Sequence, residues 1–348
     1  MSTDEFLPIQ QRLMEFIRQR FSPGYNHYNV RKLLGDASAR QYYRYVTDSG
    51  TSYILAAYPE PFDSRNFTYN QIYDLLQEIE VPVPEIIGID GPLGIVLQQD
   101  LGDESLQKTL IKADYKQKKL LLKDALSLVV AIQEKGTTAF KPEYIGYHQA
   151  FDEEKLEWEL QFFKRHYLHS YRRLTLDGLE EELDREFSHL ARQLARYPRV
   201  LCHRDYHVRN MMVHNGILYV IDFQDARWGP PSYDVASLLK DSLDLDLETV
   251  DELMGYYLDL VCSADLPKVP PSTFEPAGFR RQLNLMTIQR LLKALGTYAY
   301  QIIVREHFIY EQYMAGSLNR TVISLEEVPE FPTIKKVIEN ELKARGFR

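Results

Sequence analysis

Cysteine is scarce in this chain, with only Cys202 and Cys262 among 348 residues. Two thiols exclude a disulfide framework and a cysteine-rich zinc site, and so low a count suits a reducing cytoplasm. Long apolar runs are missing too, none approaching the roughly 18 residues that a membrane-spanning helix needs. The opening stretch MSTDEFLPIQQRLMEFIRQRF carries acids early and an amphipathic pattern, where a secretory signal would place basic residues before an apolar run. Basic excess is absent as well: the formal net charge is −9, against the basic face that nucleic acid demands. The expectation is a cytoplasmic protein with no membrane or nucleic-acid partner and no evident obligate protein partner.

A hydrophobic content of 45% with 26% charged residues is globular. At this length one ordinary core is exceeded, since cores stop growing at about 250 to 300 residues, so two lobes around a cleft are expected. The texture divides accordingly. Residues 1–98 read as an α+β lobe: an opening helix, then the β-like runs QYYRYV, SYILAAY, EIIGI and GIVLQQ. One helix is inserted, with Phe67, Ile72, Leu75, Leu76 and Ile79 at helical spacing until VPVP stops it. Residues 99–104, containing QDLGD, suit a hinge. Residues 105–348 are mainly helical, over Tyr115–Gln133, Asp152–Tyr171, Leu179–Arg196, Phe279–Arg305 and a C-terminal stretch.

The exception inside the helical lobe is VLCHRDYHVRNMMVHNGILYVIDFQD. Asn215-Gly216 between two apolar runs predicts a tight hairpin, pairing His214 with Ile217 and Met211 with Val220. That register brings Asn210 and Asp222 side by side at its open end. An amide carbonyl and a carboxylate are hard oxygen ligands that suit Mg²⁺, with the remaining ligands supplied by the phosphates of ATP. Asp205 then stands where it accepts the proton of a hydroxyl attacking the terminal phosphoryl group, the arrangement of the H-R-D-x-x-x-x-N loop and its following Asp-Phe. Two other readings compete: His203, Asp205 and His207 converging on zinc or a di-metal centre, or loop residues that merely satisfy a buried turn. His207 reads as orienting the loop, and Asp234 as capping a helix or receiving loop amides. Asp225, Arg227 and Trp158, the last flanked by Glu157 and Glu159, are acceptor-pocket candidates.

With these residues in view the chain resembles the aminoglycoside phosphotransferase-like, or choline kinase-like, family of small-molecule kinases, from about Leu34 to Leu239. His203-x-Asp205-x-His207-x-x-Asn210 is similar to its catalytic loop and Ile221-Asp222-Phe223 to its metal-binding strand end. The resemblance implies a two-lobed protein-kinase-like fold, with a small β-sheet lobe and a larger helical lobe. It also implies Asp205 as base, Asn210 and Asp222 as Mg²⁺ ligands, Asp234 as a structural aspartate, and adenine meeting backbone near Gln99 and Leu101. Within the family, GDASARQYYR, the Leu-Gly-Asp after the hinge and DFQDA most resemble bacterial anomeric kinases of N-acetylmuramate and N-acetylglucosamine that act in cell-wall recycling. Aminoglycoside phosphorylation and an inactive nucleotide sensor are the alternatives. The chain lacks an activation segment with an A-P-E end, which argues against protein substrates.

One absence departs from the pattern. There is no lysine between Lys32 and Lys108, although kinases place one on the third strand to hold the α- and β-phosphates. Arg40 or Arg44 is expected to stand in, since a guanidinium grips phosphate oxygens bidentately. The loop from Gly35 to Ala39 is not G-x-G-x-x-G, so Ser38 and its neighbouring amides would cover the phosphates.

Overall fold

The computed structural model describes residues 7–21, 29–33, 40–176, 178–266 and 268–344. Helix α1 (Ile9–Phe21) precedes strands β1 (Val30–Lys32), β2 (Gln41–Val46) and β3 (Ser52–Ala57). Helix α2 (Thr68–Glu78) follows, then β4 (Ile86–Asp90) and β5 (Ile95–Gln99). The five strands form one antiparallel sheet in the order β1-β2-β3-β5-β4. Alternation along the strands decides which layer each side chain enters. Tyr43, Tyr45, Leu55, Ala57, Ile95 and Leu97 pack under Leu13, Phe16 and Ile17 of α1. Ala56 and Val96 point the other way, into the core shared by α2 and the helical body. Arg12, itself buried, ties α1 to the strand ends through the carbonyls of Leu7, Tyr58, Pro59 and Leu93.

Beyond β5 the chain is mostly helical. Helices α3 (Leu106–Lys112), α4 (Tyr115–Ala131) and α5 (Thr137–Ala139) lead to α6 (Glu153–Phe163) and α7 (Glu180–Ala195). The expected helix starts at Tyr115 and Asp152 coincide with capping: Asp114 forms a capping box with Gln117, and Asp152 accepts the Lys155 amide. Sequence periodicity did not show that α4 and α6 each run on into a π-helical turn, at Ile132–Gly136 and Lys164–Tyr171. Then come β6 (Val200–Cys202), the hairpin β7 (Met211–His214) and β8 (Ile217–Val220), β9 (Arg227–Gly229) and α8 (Ser232–Ala236). The chain finishes with α9 (Leu247–Cys262), α10 (Pro276–Arg305), α11 (Met314–Glu326) and α12 (Pro332–Ala344).

The hairpin has the expected register, His214 with Ile217 through Met211 with Val220, and Asn215 and Gly216 both turn with positive φ. Two backbone bonds suspend it between the lobes: Val213 N–H donates to the Glu104 carbonyl at 2.8 Å, and Val220 N–H to Pro82 at 2.8 Å. Helix α10 is the long spine of the helical body, packed against α6, α8 and α11. Its closest approach to α6 depends on Gly296, where a Cβ would lie 2.8 Å from Phe163 Cα.

Gly296→Ala tests that contact. Alanine gains about 1 kcal/mol of helix propensity, whereas overpacking costs about 1–3 kcal/mol, so the clash dominates. The variant should unfold at lower urea concentration than the wild type; a higher midpoint would show that α6 and α10 separate freely.

Candidate active site

A cleft of about 910 Å³ lies between the sheet and the hairpin, lined by Tyr42, Gln98, Leu101, Asp103, Asn210 and Asp222 among others. Asn210 and Asp222 meet at its inner end as the hairpin register requires. Ile221 N–H donates to the Asn210 carbonyl at 3.0 Å, and Asn210 Nδ2 lies 3.5 Å from Asp222 Oδ2. Asn210 Nδ2 also donates to the Asp205 carbonyl at 3.0 Å, tying the metal-type pair to the catalytic-type loop.

That loop is held in conformations that L residues rarely adopt. Arg204 has φ of 87° and Asp222 of 63°. Asp234, on α8 and 1% exposed, accepts the amides of both His203 (2.6 Å) and Arg204 (3.0 Å). Burial pushes the Asp234 carboxyl up, while the charges and amides around it work the other way. Arg290, on α10 and 4% exposed, grips the same residue on its other side: Nη1 donates to the Arg204 carbonyl at 2.9 Å, with Nη2 2.6 Å from Asp241. His203 Nε2 faces the Ile221 carbonyl at 3.1 Å. A carbonyl only accepts, so Nε2 carries the proton and the ring joins the loop to the strand that bears Asp222. The His207 imidazole is pushed down to about 3, by burial first and then by Arg209, so it is uncharged at neutral pH. Its backbone bonds Asp205 on one side and Asn210 on the other.

The Asp205 carboxylate emerges from this scaffold partly open. Lys293 Nζ from α10 is 3.7 Å from Oδ1 and Arg204 Nε 3.8 Å from Oδ2. Burial would raise its pKa, but Lys293, Arg204, His207 and Arg290 outweigh burial and hold the carboxyl well below the ordinary range. It is a weak base that stays ionised at any ordinary pH.

The two arginines proposed to replace the missing lysine are placed very differently. Arg40 extends to Asp222 (Nη2 to Oδ1, 2.5 Å) and Gln224 (2.9 Å), with Tyr42 and Tyr58 beside its guanidinium. Arg44 points elsewhere: its guanidinium turns to the segment joining sheet to helices, with Asp100 at 2.6 Å, Asp103 at 3.0 Å and the Gly102 carbonyl at 3.1 Å. Ser38 and the Gly35–Ala39 loop lie outside the described residues. Gln99 and Leu101 line the cleft, though the Leu101 carbonyl accepts from His214 Nδ1 at 3.1 Å.

Among the described residues, no group of three or more His, Cys, Asp or Glu side chains is arranged to share a metal ion. The convergence of His203, Asp205 and His207 required by the di-metal reading does not occur. Of the acceptor candidates, Asp225 pairs with Arg204 at 2.9 Å and with Arg227 at 3.6 Å. Trp158 is 54% exposed, with Lys155 Nζ 4.1 Å from its ring centroid. Sequence reading missed Lys155, Arg290 and Lys293. For Arg290 and Lys293 the available signal was polar residues interrupting the apolar stretch Leu283 to Leu295 of α10.

Lys293 is the foremost cation holding Asp205 down, so Lys293→Met should raise the Asp205 pKa. A carbon-13 NMR titration of the Asp205 carboxyl would show its midpoint moving to higher pH. An unmoved midpoint would mean that Arg204 and Arg290 suffice.

The family model for the phosphotransferase enzyme family matches residues 29–291. N-acetylmuramate/N-acetylglucosamine kinase of Pseudomonas aeruginosa is 34% identical over 268 residues, covering 76% of this chain and 74% of the relative. The enzyme of the same name from Neisseria meningitidis is 30% identical over 278 residues, 76% of each chain. Among solved structures, the ethanolamine kinase of Plasmodium vivax superposes with a TM-score of 0.60 at 12% identity, covering 96% of this chain and 99% of its own. An aminoglycoside phosphotransferase in ternary complex with streptomycin and ATP gives 0.57 at 15% identity, covering 90% and 99%. At such low identity these two establish the protein-kinase-like fold alone, while the match across both lobes shows that the chain belongs to the phosphotransferase enzyme family.

Proposed function

We propose that this phosphotransferase moves the γ-phosphoryl group of ATP to the anomeric hydroxyl of an N-acetylated amino sugar, N-acetylmuramate or N-acetylglucosamine. The observation that carries the reading is that the Asn210 side-chain amide reaches both the Asp205 backbone carbonyl at 3.0 Å and the Asp222 carboxylate at 3.5 Å, with Asn210 and Asp222 lining the cleft. The choice of sugar is supported by the names of the relatives at 30–34% identity.

Asn210 and Asp222 fit Mg²⁺ through one amide carbonyl and one carboxylate, a hard-oxygen pair too small to cage an ion without phosphate. When bound, the ion neutralises phosphate charge. The chain's own groups do the rest. Arg40 stands beside Asp222, where its guanidinium meets phosphate oxygens. The acceptor oxygen bonds to the γ-phosphorus, the bond to the bridging β-γ oxygen breaks, ADP leaves, and the hydroxyl proton passes to Asp205. A carboxylate held this low is a poor base, which suits a loose transition state in which the nucleophile gives up its proton late. It also suits an anomeric hydroxyl, made more acidic than other sugar hydroxyls by the ring oxygen. Positioning supplies most of the acceleration.

Phosphorus NMR of the protein with Mg-ATP and N-acetylmuramate, N-acetylglucosamine, glucose, kanamycin or choline tests the acceptor. The two N-acetyl sugars should yield a resonance coupled to an anomeric proton, and Asp205→Asn should slow it by about 10²–10⁴-fold. Transfer to kanamycin or choline in their place would overturn the assignment. Arg40→Ala should weaken ATP binding about tenfold, the loss of one charge-assisted contact of roughly 1.5 kcal/mol, measured by calorimetry. Unchanged affinity would remove Arg40 from the phosphate site.

A further inference from the structure

The side chains clustered around Asp205 and Asp225 hold more positive charge than their carboxylates neutralise. Lys155, Arg204, Arg227 and Lys293 face Glu159, Asp205 and Asp225, and of these cation–carboxylate pairs among the described residues only Arg204 with Asp225 is at hydrogen-bonding distance, 2.9 Å. Lys155 Nζ stays 3.6 Å from Glu159, whose other oxygen already accepts Gln289 Nε2 at 2.8 Å. Arg227 is the most telling of the four. It is 9% exposed, lies against the Phe151 ring, and spends Nε on the Asp225 carbonyl at 3.0 Å. Among the described residues no acceptor takes a hydrogen bond from either terminal nitrogen, although Asp225 Oδ1 lies 3.6 Å from Nη2. Burial lowers the pKa of both Lys155 and Arg227, and the neighbouring cations push the same way. A nearly buried guanidinium whose terminal nitrogens make a loose ion pair and no hydrogen bond among the described residues has the geometry to receive a planar oxyanion.

We propose that Arg227 and Lys155 bind an acidic substituent of the acceptor, so that the chain favours a carboxylate-bearing amino sugar over its neutral counterpart. This rests on the sugar-kinase reading above. The two sugars named there form a matched pair, because N-acetylmuramate is N-acetylglucosamine carrying one lactyl ether, and hence one carboxylate. The same cations would repel a polycationic aminoglycoside, which is selection by repulsion as well as by attraction.

The test is the ratio of kcat/KM for N-acetylmuramate to that for N-acetylglucosamine, in wild type, Arg227→Met, Arg227→Lys and Lys155→Met. The wild-type ratio should exceed about ten, and each methionine variant should lower it about tenfold through KM for the acid, as loss of a charged hydrogen bond implies. Arg227→Lys should recover part of the ratio. Lys155 is at the surface, so Lys155→Met keeps the test open should Arg227→Met fold poorly. A scaffold role would slow both acceptors equally and leave the ratio unchanged, which overturns the receptor. A wild-type ratio near one, with both sugars phosphorylated, refutes the receptor and leaves the sugar-kinase reading intact. Transfer to neither sugar overturns both.

Discussion

The backbone conformation of one residue, Arg204, underlies the geometry of the site. Asp234 takes its amide, Arg290 takes its carbonyl, and both partners are almost wholly buried. A positive φ at a long side chain costs of order 1–3 kcal/mol and persists only when the surroundings over-determine it. Hydrogen bonds to charged groups contribute about 1.5–3 kcal/mol each, so the two clamps are enough to hold it. With Arg204 turned, the next residue presents its carboxylate outward and the loop runs on to Asn210. Helices α8 and α10, distant in sequence from the loop, thereby set the position of Asp205.

Charge is divided between the two sides of the site. Toward the cleft, Arg40 and Asp222 form a tight pair, with Asn210 alongside. Around Asp205 the cations are spread and loosely held, and its carboxylate resists protonation among them. In phosphoryl transfer, fixed charges placed where negative charge travels stabilise the transition state, and on the reading proposed above the same charges would also select the acceptor. The ion pairs of Arg44 with Asp100 and Asp103 belong to neither side. They brace the segment joining sheet to helices, so a residue that looked chemical in the sequence is mechanical in the structure.

What the sequence by itself determined is local. The Asn-Gly turn set the hairpin register, and through it the meeting of Asn210 with Asp222, because side-chain alternation leaves no other pairing once the turn is known. Alternating strands and capped helices likewise declared a small sheet and a larger helical body. The loop motif, whose members lie within eight residues, could be read for the same reason. Tertiary structure alone decided which arginine reaches Asp222, since Arg40 and Arg44 are four residues apart and differ only in where the sheet aims them. It alone brought Arg290 and Lys293 to Asp205, from a helix roughly 85 to 90 residues away in the chain. No local pattern encodes that approach, which exists only where α6 and α10 close together at Gly296 and Phe163. Long-range electrostatics follow from packing, and packing is a property of the whole chain.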